Sequence, residues 1–233
     1  MKTKLTILTA TLLLGLNALK AQQTNYEAMV HDGLARQYIV YVPAIYDSTS
    51  PVPLMFNFHG YTGSASGHMN STRMKQVADS AGFIVVYPQG SLFWGNTHWN
   101  VGAWTNGSTA DDLGFTEAMI DTLAANYNID LDRVYSCGYS NGGYFSFELA
   151  CQLSHRIAAI GSVGGKMSAE TYNACSPSHP TPVITIHGTE DNIVSYYSSQ
   201  PAGSKTISQT HNYWINYNNT DTDAITENMP NTN

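Results

Sequence analysis

Short apolar runs closed by Pro or Gly recur along the chain: "RQYIVYVP" (Arg36 to Pro43), "PLMFNFHG" (Pro53 to Gly60), "GFIVVYPQG" (Gly82 to Gly90), "RVYSCGYS" (Arg133 to Ser140), "RIAAIGSVGG" (Arg156 to Gly165) and "PVITIHG" (Pro182 to Gly188). They read as β-strands. Most are almost continuously apolar, as strands buried on both faces should be. Between them the spacing is helical over Met69 to Ala81, over "DLGFTEAMIDTLAANYN" and over "GGYFSFELACQLS". In the second of these Phe115, Met119, Ile120 and Leu123 share one face, and acids occupy the first turn. This alternation predicts one α/β domain, a mainly parallel sheet covered by helices on both faces, without internal repeats. "TISQTHNYWINYN" is a last helical segment, with Ile207, Tyr213, Trp214 and Ile215 as its apolar members; the polar tail "NTDTDAITENMPNTN" has no packing face.

The first residues depart from this pattern. Lys2 and Lys4 precede an apolar run from Leu5 to Leu16, with small residues near Ala18 and Ala21. The run is too short to cross a bilayer and reads as a secretory signal over residues 1–21, leaving 22–233 as the mature domain. Its removal takes away Lys2, Lys4 and Lys20, so that 7 basic residues face 17 acidic ones and the formal charge is −10. That surface argues against nucleic acid and anionic membranes as partners. At 233 residues with 42% hydrophobic content the chain suits a single domain with a real core, read here as a monomer. Export permits disulfides. Of the three cysteines, the expected pair is Cys151 with Cys175, leaving Cys137 as a small buried core residue, although spacing alone does not establish the pairing.

The candidate chemistry centres on Gly138-Tyr139-Ser140-Asn141-Gly142. A G-x-S-x-G pattern between a strand and a helix is the setting of a nucleophile elbow. Its glycines remove side chains that would collide in the turn, so Ser140 can sit in strained backbone with its hydroxyl at the C-terminal edge of the sheet. The plainer alternative is a Gly-rich turn with a capping serine. A serine hydroxyl needs a base, and the base needs an orienting carboxylate. "HGTEDNIVSY", after the last strand, offers Glu190 and Asp191 at the correct edge. An oxyanion hole needs two backbone N–H groups. Asn141 supplies one, and Tyr61, in "FHGYTGSASG", is the expected second, since Gly60 and Gly63 allow the backbone to approach a substrate. His59 then belongs to the architecture of that loop.

With these residues in view, "HGYTGSASGHMN", "VYPQG", "WNVGAW", the segment from Asp111 to Gly165 and "HGTEDNIVSY" resemble the secreted polyhydroxybutyrate-depolymerase-like esterases, α/β-hydrolases that include feruloyl and acetyl-xylan esterases. The resemblance runs from about Tyr38 to Tyr196. It implies Ser140 as nucleophile and Asp191 as the acid of the triad. It implies hydrolysis of carboxylic esters on plant polysaccharide, or of short polyesters, outside the cell or in the periplasm.

The sequence departs from that family at the base. A histidine is expected beyond the acid, after one more strand and in a Gly-rich loop, but only His211 follows Asp191, on a predicted helix. The other histidines have structural readings: His31 in a turn, His68 and His98 in loops, His155 at a helix end, His179 beside prolines and His187 at a strand end. The expectation is therefore a chain that stops before its last strand and catalytic-histidine loop, and that is nearly inactive as written. The alternative is a non-catalytic carbohydrate-binding protein on a decayed hydrolase scaffold.

"SLFWGNTHWNVGAW" places Phe93, Trp94, Trp99 and Trp104 at the edge where open α/β sheets bind ligands. Trp99 and Trp104 are the expected substrate-binding rings. Asp111 and Asp112 read as helix caps. No metal-ligand, P-loop or EF-hand spacing occurs, so neither a metal nor a cofactor is expected.

Overall fold

Strand β2 (Leu34–Val42) sends Tyr38, Val40 and Val42 to one face and Ile39 and Tyr41 to the other; β4 (Ile84–Pro88) divides Ile84 and Val86 from Val85 and Tyr87 in the same way. These two sets define two cores, one on each side of the sheet. A computed structural model describes residues 22–227, so the expected signal, residues 1–21, lies outside the described residues.

The remaining strands are β1 (Gln23–His31), β3 (Val52–Phe58), β7 (Ile129–Tyr139), β8 (Ala159–Val163) and β9 (Val183–Ile186), in the order β1-β2-β4-β3-β7-β8-β9. β1, β2 and β4 pair antiparallel, and every later pairing is parallel. A separate hairpin, β5 (Ser91–Phe93) and β6 (Asn96–His98), stands outside this sheet.

The larger core is covered by α3 (Asp112–Asn126), α4 (Asn141–Gln152) and α6 (Ile207–Asn218), which bring Phe115, Met119, Phe145, Phe147 and Trp214 against Phe56, Phe58 and Val86. Short α5 (Ala169–Ala174) packs beside α4. Cys151 of α4 is disulfide-bonded to Cys175, directly after α5. The smaller core lies under α1 (Ala65–Thr72) and α2 (Met74–Ala81). One helix was expected across this region; Arg73, in a left-handed conformation at φ 52°, divides it in two.

The mainly parallel sheet thus has helices on both faces, as expected; on this second side the described helices lie over the β2-β4-β3 half. Tyr139, Val163, Ile184 and Ile186 are exposed along β7, β8 and β9. Cys137 is not the fully buried residue expected: it is half-buried and lines a cleft of about 600 Å³ on this open face. Desolvation still pushes its thiol up to about 12, so it is not a reactive thiolate. Among the described residues no helix is long and apolar enough to cross a membrane.

Candidate active site

The elbow begins where β7 ends. Ser140 has φ 52° and ψ −118°, backbone that a residue with a Cβ adopts only under constraint, at about 1–3 kcal/mol. Two hydrogen bonds hold it there: its N–H donates to Val163 O (2.8 Å), and its carbonyl accepts from Tyr144 N (3.0 Å). The glycines are required sterically. A Cβ on Gly138 would overlap the Gly142 backbone, and one on Gly142 would overlap the carbonyl of Phe58. The turn can therefore close only without those side chains.

The loop after β3 arrives beside this serine. A Cβ built on Gly60 would lie 3.1 Å from the Tyr139 ring and 3.4 Å from Ser140 Cβ, so the loop packs closely on the elbow. Tyr61 follows, about one-third exposed, with no hydrogen-bond partner for its N–H among the described residues. Asn141 occupies the first position of α4, where a helix has no preceding carbonyl for its N–H. Neither amide thus has an intrahelical or intraloop acceptor.

Trp99 is not the substrate-binding ring the sequence suggested; that expectation is corrected. It is fully buried, stacked on Phe145 at 5.4 Å and edge-on to Phe58 at 4.9 Å. Its indole N–H donates to His59 O (2.9 Å), and its backbone N–H and carbonyl are both taken by the Asn141 side chain (2.7 and 3.1 Å). Trp104 remains half-buried, edge-on to Tyr144 at 4.7 Å. Asp111 caps α3 as expected, accepting from Gly114 N (2.9 Å). Asp112 is buried in an ion pair with Arg36 (2.6 Å) and also accepts from Asn100 N (2.8 Å).

His59 is committed to the loop. Nδ1 lies 2.7 Å from the Gly60 carbonyl and must donate, which leaves Nε2 to accept from Gly90 N at 2.9 Å. Burial, chiefly, lowers its pKa, so the ring stays neutral with its single lone pair occupied.

Register places the acid. Tyr139, Val163 and Ile186 lie in one row across β7, β8 and β9, so the elbow and the segment after β9 leave the same sheet edge two strands apart, about 10 Å. Asp191 Oδ1 accepts from Ile193 N and Val194 N (both 2.8 Å), while Oδ2 lies 3.8 Å from His187 Nε2. The charge of Asp191 also helps raise the Tyr144 pKa, after burial, one helical turn beyond Ser140.

Lys166 was not singled out in the sequence. It is fully buried, and its Nζ donates to Ser195 O and Ser198 O (both 2.7 Å), fastening the loop that follows Asp191. Desolvation brings its pKa down to about 8, against the opposing pull of Asp191. Nothing in "VGGKMS" distinguishes a buried lysine from an exposed one.

Each described histidine is engaged away from the serine. His31 pairs with Asp111, His68 with Asn57, His98 with Ser108 and His155 with Glu117; His179 meets Ser154 O, His187 Val194 O and His211 the Thr185 hydroxyl. Among the described residues nothing is hydrogen-bonded to the Ser140 hydroxyl, and no group of His, Cys, Asp or Glu is placed to hold a metal ion.

A serine on a strand-to-helix elbow at the C-terminal edge of a mostly parallel, helix-flanked sheet defines an α/β-hydrolase fold. Solved structures agree: a ferulic acid esterase from Anaeromyces mucronatus superposes with a TM-score of 0.59 at 15% identity, over 88% of this chain and 82% of that one. A thermostable esterase superposes with a TM-score of 0.60 at 17% identity, over 86% of this chain and 52% of that one. Residues 36–199 match the family model described as esterase PHB depolymerase, and the chain belongs to that family. Among curated relatives, it is 31% identical over 164 residues to a bifunctional acetylxylan esterase/xylanase of Neocallimastix patriciarum, covering 70% of this chain and 22% of that protein. It is 32% identical over 163 residues to feruloyl esterase B of Piromyces equi, covering 69% and 30%. The aligned part is thus under one-third of either relative's length.

Proposed function

We propose that the protein is a secreted serine esterase that hydrolyses carboxylic esters, such as feruloyl or acetyl groups, carried on plant polysaccharide. The observation that carries this reading is the strained Ser140 on its strand-to-helix elbow, with the Gly60 loop packed so closely that a Cβ built on Gly60 would lie 3.4 Å from Ser140 Cβ. Ser140 Oγ attacks the acyl carbon while an imidazole takes its proton. The oxyanion accepts from the N–H groups of Tyr61 and Asn141, which stabilise it more than the ground-state carbonyl. Collapse expels the alcohol, which takes the proton back from the imidazole. Water, activated by the same base, then releases the acid from the acyl-enzyme.

Asp191 orients that imidazole and stabilises its cation. Among the described residues each histidine is held elsewhere, so the imidazole is assigned to none of them; Ser140 and the segment bearing Asp191 leave the same sheet edge two strands apart, on either side of where it would act. Trp104, half-buried beside Tyr144, is taken as a substrate-contacting ring. The acetylxylan and feruloyl activities in the relatives' names favour polysaccharide esters over short polyhydroxyalkanoates.

A fluorophosphonate probe tests the assignment. The full-length protein should be labelled on Ser140 and not after Ser140→Ala. Labelling of another residue would overturn it. The engagement of every described histidine also favours a second reading, a carbohydrate-binding protein without catalysis. That reading requires that the full-length protein be neither labelled nor active while still binding sugar.

A further inference from the structure

The hairpin β5–β6 carries a feature the proposed reaction does not use. Phe93 pairs with Asn96, so Trp94 and Gly95 are the whole turn, with φ 48° and 81°. Positive φ at both turn positions suits Asn-Gly; a tryptophan there is strained. Trp94 is nevertheless 86% exposed, so no burial of its ring compensates that strain.

The ring is held in place all the same. Its inner face stacks on Phe93 (4.8 Å, 14°), and Phe93 packs on His98 (5.2 Å). His98 is buried, its ring nitrogens bonded to Ser91 O (3.0 Å) and the Ser108 hydroxyl (2.7 Å). The outer face of Trp94 is thus a flat surface presented to solvent on a fixed support, which lowers the ordering cost of binding.

The hairpin is also fastened to the loop carrying Tyr61. Thr62 N donates to Thr97 O (2.8 Å), and Thr97 Oγ1 donates to Gly63 O (2.6 Å). The platform therefore stands one loop away from Ser140.

Its surroundings select the ligand. No Asp, Glu, Lys or Arg occurs between Asp79 and Asp111, so the stretch that carries the hairpin has no carboxylate and no lysine or arginine. An exposed ring platform on an uncharged stretch fits the apolar face of a pyranose; that stretch offers nothing to an ionic partner.

We infer that Trp94, stacked on Phe93, is a binding platform for the main chain of a neutral polysaccharide, holding the polymer beside the ester-cleaving site. The inference deepens the proposed function and rests on it for the choice of polymer. Its test does not depend on catalysis. The protein is run in affinity electrophoresis through gels containing soluble arabinoxylan, as wild type, Trp94→Asn and Trp94→Phe. Trp94→Asn restores the Asn-Gly turn, so its thermal midpoint should equal or exceed that of wild type while affinity falls at least about fivefold. Trp94→Phe, which keeps a stacking face, should stay within about threefold of wild type. Unchanged affinity in Trp94→Asn, or a wild type that is not retarded, overturns the platform. So does loss of adsorption to a polyhydroxybutyrate film with arabinoxylan binding intact, which would make this a polyester surface. The catalytic reading is scored separately by labelling of Ser140, so either can fail alone.

Discussion

The side-chain amide of Asn141 closes on the backbone of Trp99 from both sides, accepting from its N–H at 2.7 Å and donating to its carbonyl at 3.1 Å. Because the Trp99 indole N–H is bonded in turn to His59 O, this contact joins the start of α4 to the loop bearing Tyr61. The two proposed oxyanion donors are therefore fixed relative to each other by a residue that never touches substrate.

Replacing Asn141 with Ala should leave a buried N–H and a buried carbonyl without partners. The expected loss is about 2–4 kcal/mol of stability, read from chemical denaturation. An unchanged midpoint would mean that water replaces both bonds.

The elbow's steric requirement predicts a separate effect at Gly142. Gly142→Ala places a methyl against the Phe58 carbonyl, a backbone atom that cannot step aside. Destabilisation of about 3 kcal/mol or more is expected. A variant as stable as wild type would show that the turn can open.

His68 predicts an acid-side loss of stability. It is buried, bonded to Asn57 Oδ1 at 2.7 Å, and desolvation, with His59 nearby, holds its pKa down to about 4 from 6.5. Between those values the unfolded chain takes up a proton that the folded one refuses, so stability falls as pH drops from 6.5 towards 4. Relative to His68→Gln, the wild type should lose about 3 kcal/mol across that window. A constant difference between the two proteins would contradict this.

The Cys151–Cys175 bridge closes a loop with a sequence separation of 24. In the chain-entropy account, removing it with Cys151→Ser should cost about 3 kcal/mol. Thermal unfolding of the variant checks this.

The two histidines nearest the acid loop give a discriminating pair. His187 and His211 are bonded to Val194 O and Thr185, so neither is free to serve Ser140. In a form that cleaves esters, His187→Gln and His211→Gln should each change the rate by less than about tenfold, against roughly a millionfold for loss of a true base. A collapse in either variant would identify the base.

What could be read from the sequence follows from how each element declares itself. Strands buried on both faces announce themselves as apolar runs, and G-x-S-x-G between such a run and a helix pattern announces the elbow. β1 escaped because most of its residues are exposed and carry no alternation. The break at Arg73 escaped because left-handed backbone at a non-glycine residue has no compositional mark. Trp99 could not be told from its neighbours: sequence puts the tryptophans in one stretch, but only the fold buries Trp99 and leaves Trp94 in solvent. Lys166 was missed because its partners, two carbonyls about 30 residues away, exist only after folding.

The most direct measurement traps the covalent intermediate. The full-length protein is mixed with a feruloyl or acetyl ester, quenched in acid during turnover and digested, and the peptide carrying the acyl group is sequenced by mass spectrometry. The acyl mass should sit on Ser140 and disappear, with turnover, in Ser140→Ala. An acyl group on any other residue, or hydrolysis that survives Ser140→Ala, would contradict the account.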